Sequence, residues 1–145
     1  MRALDRSLPL KLLRAREAVM DRFRPHLHAN GFTEQQWRVI RALVEVDTID
    51  AGALAEAVCL RMPSLSRILA DLEARGLLRK LRSKADRRLV NVEITEEGRA
   101  LFTRMSEASE RIYQSIQDRL GDAEYKDLML RLDGFIARLN DGGDP

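Results

Sequence analysis

The 145-residue chain has few of the residues on which catalysis and covalent crosslinks depend. It contains one cysteine, Cys59, so no intrachain disulfide can form, and we expect a reducing, cytoplasmic setting. Its two histidines, His26 and His28, are two positions apart on a predicted helix and do not share a face. A zinc site is therefore not expected, and no phosphate-binding glycine loop or GxSxG motif is present. We predict that the protein is not an enzyme and needs no cofactor or metal.

Long apolar runs are also missing. No segment approaches the roughly 20 consecutive apolar residues of a membrane helix. The start of the chain, MRALDRSLPLKLLRAREAV, is interrupted by charged residues and lacks the apolar core of a signal peptide. We therefore expect no membrane partner. A chain of this length usually forms one domain that buries about 68–70% of its unfolded surface, so we predict a single domain over residues 1–145.

Charged residues are abundant, and their distribution is uneven. The whole chain carries a net charge of only +2. The segment from Arg61 to Arg88, however, contains nine basic and three acidic residues, a net charge of +6, which leaves −4 for the remainder. A localised basic face on a slightly acidic body is typical of a protein that binds nucleic acid.

Helical spacing of the apolar residues and helix-end signals predict four helices in the first half of the chain. The first spans residues 8–30, and Thr33 with Gln36 forms a capping box for the second. Asp50 can cap a short third helix. Pro63 suits the first turn of a fourth, which Gly76 ends. Two short helices joined by a tight turn, the second with a small polar outer face, indicate a helix-turn-helix.

A β-hairpin is predicted next. Val90, Val92 and Ile94 alternate as in a strand, and GLLRKL before them can form its partner. The joining loop, RSKADRR, is crowded with cations, which repel one another unless an anion meets them. Thr95 then caps a long helix, and a last helix with nearly heptad spacing follows. The predicted fold is mainly α with a small β-hairpin wing.

The opening of the fourth helix, MPSLSR, is predicted to bind DNA. A major groove about 12 Å wide accepts a helix. Ser64, Ser66 and Arg67 would reach base edges there, and Arg67 could bond to guanine. Arg61, just before the helix, would meet phosphate.

The hairpin loop supplies the second part of this predicted surface. Arg87 or Arg88 could enter an adjacent minor groove, while Arg82 and Lys84 meet the backbone. Asp86 has two interpretations. It could hold an arginine extended, or pin the loop to the helix-turn-helix, through a charge-assisted hydrogen bond. The alternative is an ordinary turn aspartate beside exposed arginines, but its place between two strands after a helix-turn-helix favours the first interpretation.

The ordered segments LAEAVCLRMPSLSRILADLEARGLLRK and ADRRLVNVEITEEG resemble the winged helix-turn-helix of MarR-type transcription regulators, including an Asp-x-Arg wing at Asp86 and Arg88. The segment LLRAREAVMDRFRPHLHANGFTEQQWRVIRAL resembles the subgroup that regulates homoprotocatechuate (4-hydroxyphenylacetate) degradation operons.

The resemblance implies a homodimer built from helices at 8–30 and 96–140, with a DNA-binding lobe at 33–95. Apolar stripes on these terminal helices also need burial, for which an intrachain bundle is the alternative. A two-fold dimer would bind a pseudo-palindromic operator in double-stranded DNA.

The resemblance further implies a repressor released by a small phenolic or aromatic carboxylate. Candidate ligand-binding residues are Arg16, His28, Trp37 and Arg38, which offer cations and an aromatic wall. Alternatively, Trp37 belongs to the core, and both arginines are surface or ion-pair residues.

Two other functions remain open. Some relatives sense oxidation through a cysteine, but Cys59 lies in the predicted turn of the helix-turn-helix, where we expect a small buried residue. A winged helix can also serve as a protein-interaction module.

Overall fold

The computed structural model describes residues 3–86 and 88–142. It confirms a mainly helical chain with a β-hairpin. The helices are α1 (Leu8–Ala29), α2 (Glu34–Val46), α3 (Ala51–Ala57), α4 (Met62–Ala74), α5 (Glu96–Leu120) and α6 (Asp122–Asp141). The strands are β1 (Thr48–Asp50), β2 (Leu78–Arg82) and β3 (Val90–Ile94), and a short 3-10 helix spans Leu4–Arg6. No helix in this described part of the chain has both the length and the apolarity needed to cross a membrane.

The sheet has one strand more than the sequence predicted. β1 pairs antiparallel with β3, with Ile49 opposite Val92, and the strand order is β1-β3-β2. A three-residue strand is too short for alternation to be visible in the sequence. The 3-10 helix was likewise not predicted. β3 is thus the central strand, and β2 lies at an edge.

The predicted helix starts are confirmed by their capping bonds. Thr33 Oγ1 accepts the Gln36 amide at 3.1 Å, and Gln36 Oε1 accepts the Thr33 amide at 3.0 Å, which completes the capping box. Asp50 Oδ2 accepts the Ala53 amide at 3.0 Å, and Thr95 Oγ1 accepts the Gly98 amide at 3.0 Å. Each such cap contributes about 1 kcal/mol.

Three helices end in the same left-handed turn. Gly31, Cys59 and Gly76 follow α1, α3 and α4 with φ values of 78°, 56° and 76°. In each turn the next amide bonds to the carbonyl five residues earlier at 2.9 to 3.0 Å, as in a Schellman motif. The expectation that Cys59 is buried is wrong: its side chain is exposed, and the preceding Val58 occupies the buried position instead.

The chain divides into two compact units, Met1–Ser109 and Glu110–Pro145. The core of the first unit contains nine side chains less than 2% exposed, from α1 to α4, β2 and β3: Leu27, Val39, Ile40, Leu43, Leu54, Leu65, Leu72, Leu78 and Val92. The second unit contains the end of α5 and all of α6, and no described residue of α6 is buried. The division into a DNA-binding lobe and dimerisation helices stays a prediction.

Candidate DNA-binding surface

The helix-turn-helix is held by apolar contacts on its inner side. Leu54 and Val58 from the α3 side and Leu65 and Leu69 from α4 are at most 3% exposed. α4 begins at Met62, and no side chain caps its first turn. The N-terminal amides of a helix carry a partial positive charge and bind anions such as phosphate. The start of α4 therefore suits a phosphate backbone.

Four of the residues predicted to meet DNA lie at this end of α4. Ser64, Ser66 and Arg67 are exposed and lie off the buried stripe that contains Leu65. Arg61, the residue before the helix, is exposed as well. The two serines leave room for close approach to base edges, and the two arginines can reach base edges or phosphates.

Asp86 organises the wing loop. Its Oδ1 accepts the Arg88 backbone amide at 3.0 Å and the Arg88 Nε at 3.3 Å. The carboxylate therefore acts both as a turn aspartate and as a brace for an arginine. The Arg88 side chain remains 91% exposed and available to a partner. The prediction for Arg87 falls outside the described residues.

Ser83 is a wing residue that the sequence analysis missed. Its Oγ accepts the amides of Ala85 and Asp86 at 3.2 and 3.3 Å, and its own amide bonds to the Leu89 carbonyl at 3.1 Å. Serine hydroxyls often accept backbone amides a few residues later in tight turns, so this role could have been recognised from the sequence.

Within the basic segment, some cations are neutralised inside the chain. Arg79 pairs with Glu93 at 3.1 Å, and Lys80 pairs with Glu73 at 3.6 Å. Arg75 lies 4.1 Å from the centroid of the Phe32 ring and donates to the Gly31 carbonyl at 3.0 Å. These residues attach α4 and β2 to the body of the protein.

Other cations in the segment lack such a partner. Arg61, Arg67, Arg82 and Lys84 form no ion pair with any described residue. All four are exposed. They flank the start of α4 and the wing, where an external anion can neutralise them.

Two of the predicted ligand-binding residues contribute to the packing of the first unit. Trp37 is 8% exposed and stacks on Phe102, with centroids 5.4 Å apart, while Phe32 meets it edge-on at 6.3 Å. Arg38 Nη1 donates to the Val58 carbonyl at 2.7 Å. That carbonyl belongs to the C-cap of α3, so Arg38 stabilises the turn that precedes α4.

The other two lie on α1. Arg16 bonds to Glu34 at 3.3 Å, and Arg24 also pairs with Glu34, at 3.5 Å. A hydrogen bond from Arg24 lowers the pKa of the Glu17 carboxyl, and the same bond raises the pKa of Arg24. His28 is exposed in the last turn of α1.

No hydrogen bond, ion pair or ring contact joins any two of the four predicted ligand-binding residues within residues 3–86 and 88–142.

Comparison with known proteins identifies the family of this chain. Residues 32–90, which include α2, the helix-turn-helix and the wing loop, match the model of the MarR family. The HTH-type transcriptional regulator FarR of Neisseria gonorrhoeae is 39% identical over 133 residues, 92% of this chain and 88% of that protein. The chain belongs to the MarR family.

Two further members of the MarR family resemble this one closely. The homoprotocatechuate degradative operon repressor of Escherichia coli is 38% identical over 131 residues, 90% of this chain and 88% of that protein. The crystal structure of NadR in complex with 4-hydroxyphenylacetate superposes with a TM-score of 0.79 at 36% identity and covers 99% of both chains. The predicted family and its winged-helix fold are thus confirmed, and this MarR-family protein is a transcription regulator.

Proposed function

We propose that this MarR-family regulator binds a pseudo-palindromic operator as a homodimer and represses an aromatic-acid catabolic operon until a phenolic or aromatic carboxylate releases it. The observation that carries DNA binding is a group of exposed cations, Arg61, Arg67, Arg82 and Lys84, that form no ion pair among the described residues. Each phosphate that they neutralise releases condensed counterions, so binding should weaken steeply with salt. Ser64 and Ser66 would then read base edges, while Asp86 braces Arg88 for the adjacent minor groove. Entry of Arg87 into that groove stays a prediction from the sequence.

Dimerisation is supported by apolar side chains left in water. On α1, Leu8, Leu12 and Leu13 are 49%, 40% and 52% exposed. On α6, Ile136 and Leu139 are 53% and 66% exposed. Full burial of one such side chain contributes about 1.5–3 kcal/mol, so a second copy that covers both helices would be strongly favoured. A two-fold dimer then places two α4 helices on two half-sites.

The proposal of an aromatic-acid effector is supported by the relatives, one named as a homoprotocatechuate operon repressor and another solved with 4-hydroxyphenylacetate. Arg16, His28, Trp37 and Arg38 remain the proposed ligand residues. Arg38 suggests a mechanism. A ligand carboxylate would attract its guanidinium more strongly than the neutral Val58 carbonyl does. Release of that carbonyl would loosen the turn before α4 and lower DNA affinity.

Fluorescence anisotropy tests the proposal. The DNA upstream of the protein's own gene is titrated with the full-length protein at several salt concentrations, and then with homoprotocatechuate, 4-hydroxyphenylacetate and related acids. We expect tight, salt-sensitive binding that one acid reverses. Absence of DNA binding would instead favour a protein-interaction module, and binding indifferent to every acid would remove the catabolic assignment.

A second candidate, regulation by oxidation, is favoured by one observation. Cys59 is exposed in the turn that leads directly into Arg61 and α4. Oxidation there would add a polar group beside the DNA-binding surface. Anisotropy after peroxide treatment, with Cys59→Ser as the control, distinguishes the two. In an oxidation sensor, peroxide changes the DNA affinity of the wild type but not that of Cys59→Ser. In an acid-responsive repressor, peroxide changes the DNA affinity of neither protein.

A further inference from the structure

Two parts of the chain are proposed to meet DNA separately, and their relative orientation must be fixed. α4 ends at Ala74 and β2 begins at Leu78, so residues 75–77 connect the recognition helix to the wing. This connection contains Gly76 in a left-handed conformation with φ 76°. Thr95 holds the same connection toward α5, because its hydroxyl donates to the Gly76 carbonyl at 2.7 Å and its amide to the Leu77 carbonyl at 3.1 Å. Neither bond ties the wing to α4 itself.

Glu73, in the last turn of α4, makes that tie. Its Oε2 accepts the backbone amide of Lys80, in the middle of β2, at 2.7 Å. Its Oε1 lies 3.6 Å from the ammonium nitrogen of Lys80. Among the bonds of the described residues, this is the one side-chain hydrogen bond from α4 to β2.

The position of β2 explains why a carboxylate is needed there. β2 lies at the edge of the sheet, where one row of amides has no neighbouring strand. The Lys80 amide points to this open side, and the Glu73 carboxylate takes the place of a strand carbonyl. A charge-assisted hydrogen bond is about twice as strong as a neutral one. The side chains of Glu73 and Lys80 are only 39% and 30% exposed, which limits competition from water.

We propose that Glu73 is a positioning residue that fixes the wing relative to the recognition helix, so that both can engage one operator at once. This rests on the DNA-binding function proposed above. Glu73 carries a negative charge within a basic segment and therefore opposes DNA on electrostatic grounds. The position of the Glu73 side chain between α4 and β2 explains its presence there. Loss of the brace should weaken binding to a specific DNA sequence. Removal of a negative charge alone should instead strengthen binding to DNA of any sequence.

Variants of Glu73 distinguish the effect of the position of its side-chain oxygen from the effect of its charge. Glu73→Gln keeps an oxygen at the same distance but loses the charge, whereas Glu73→Asp keeps the charge and withdraws the oxygen by one methylene. Glu73→Ala loses both. Lys80→Met is the matched control, since it removes the ammonium group and keeps the backbone amide that the brace uses.

The measurement is the ratio of affinities for two duplexes of equal length, one selected from a random pool by the wild-type protein and one unrelated. All proteins are full length and are compared well below their melting temperatures. We expect the ratio to fall about tenfold in Glu73→Asp and Glu73→Ala, the size of one lost base-pair contact. Glu73→Gln and Lys80→Met should stay within about threefold of the wild type.

A ratio that follows charge, with Glu73→Asp like the wild type and Glu73→Gln like Glu73→Ala, would overturn the proposal. So would a ratio that no Glu73 variant changes while the melting temperature falls, because that outcome marks a purely structural bond. If Glu73→Asp and Glu73→Ala do not fold, Glu73→Gln and Lys80→Met still decide, since a tenfold loss in either contradicts a brace between an oxygen and an amide. Failure of the wild-type protein to select any duplex would refute the DNA-binding function itself.

Discussion

Arg38 of α2 and Val58 at the end of α3 are joined by a hydrogen bond of 2.7 Å from the guanidinium to the backbone carbonyl. Val58 is 3% exposed, so water has little access to its carbonyl as a substitute donor. The bond links α2 to the turn that sets the start of the recognition helix. Arg38 therefore has a structural role whether or not an effector binds it.

Arg38→Ala should lower the free energy of unfolding by about 1–3 kcal/mol, because it leaves the Val58 carbonyl without a donor. Urea denaturation followed by circular dichroism measures the change. Arg22→Ala, at an exposed position of α1, is the control and should stay within about 0.5 kcal/mol of the wild type. Equal stabilities of the two variants would show that the Arg38 bond contributes nothing net.

Arg82→Ala and Lys84→Ala should weaken DNA binding in a salt-dependent manner. Each lost phosphate contact reduces the slope of log affinity against log salt by about 0.9. Anisotropy at four or more salt concentrations gives the slope. Lys126→Ala on α6 removes the same charge outside the basic segment and should leave the slope unchanged. Slopes unaffected in all three variants would argue against a DNA role for the wing.

Cys59→Gly should raise the free energy of unfolding by about 1 kcal/mol. Cys59 adopts φ 56° at a helix end where glycine carries no steric penalty. Cys59→Val should lower stability, because a β-branched side chain fits this conformation poorly. Thermal unfolding of both variants under reducing conditions measures the difference. A glycine variant less stable than the wild type would mean that the cysteine side chain makes a contact that outweighs the strain.

Gly98→Ala should destabilise the protein although alanine is the better helix former. A Cβ at this position would overlap the Leu77 carbonyl oxygen and lie 2.8 Å from Ile94 Cγ1. Helix propensity favours alanine by about 1 kcal/mol, but overpacking against a fixed backbone costs about 1–3 kcal/mol or more. Gly134→Ala on α6 is the matched control, because a Cβ there meets nothing within 4 Å. Chemical denaturation should show opposite signs for the two variants.

The sequence predicted those features that depend on neighbouring residues. The caps at Thr33 and Asp50 and the glycine end of α4 follow from local rules, and the structure confirms them. β1 was missed because its identity depends on pairing with β3, more than 40 residues later, and three residues carry too little pattern.

The contacts of several candidate site residues depend on the folded structure, and local sequence rules did not predict them. Cys59 was misjudged because its burial preference as a small apolar residue is overridden by the left-handed turn in which it lies. Glu73 was missed because its partner is a backbone amide, which has no signature in the sequence. Arg38 and Trp37 were chosen as chemical groups suited to a ligand, and their contacts with Val58 and Phe102 depend on packing between helices.

The wing loop is closed on itself. The Ser83 amide bonds to the Leu89 carbonyl at its base, and the Ser83 and Asp86 side chains accept the amides of Ala85, Asp86 and Arg88. Its shape therefore depends little on the core. Insertions in such a loop carry only a small entropic cost, since doubling its length costs about 0.6 kcal/mol. If the wing contacts DNA as proposed, exchange of its tip, by evolution or by engineering, should change operator choice without altering the rest of the domain.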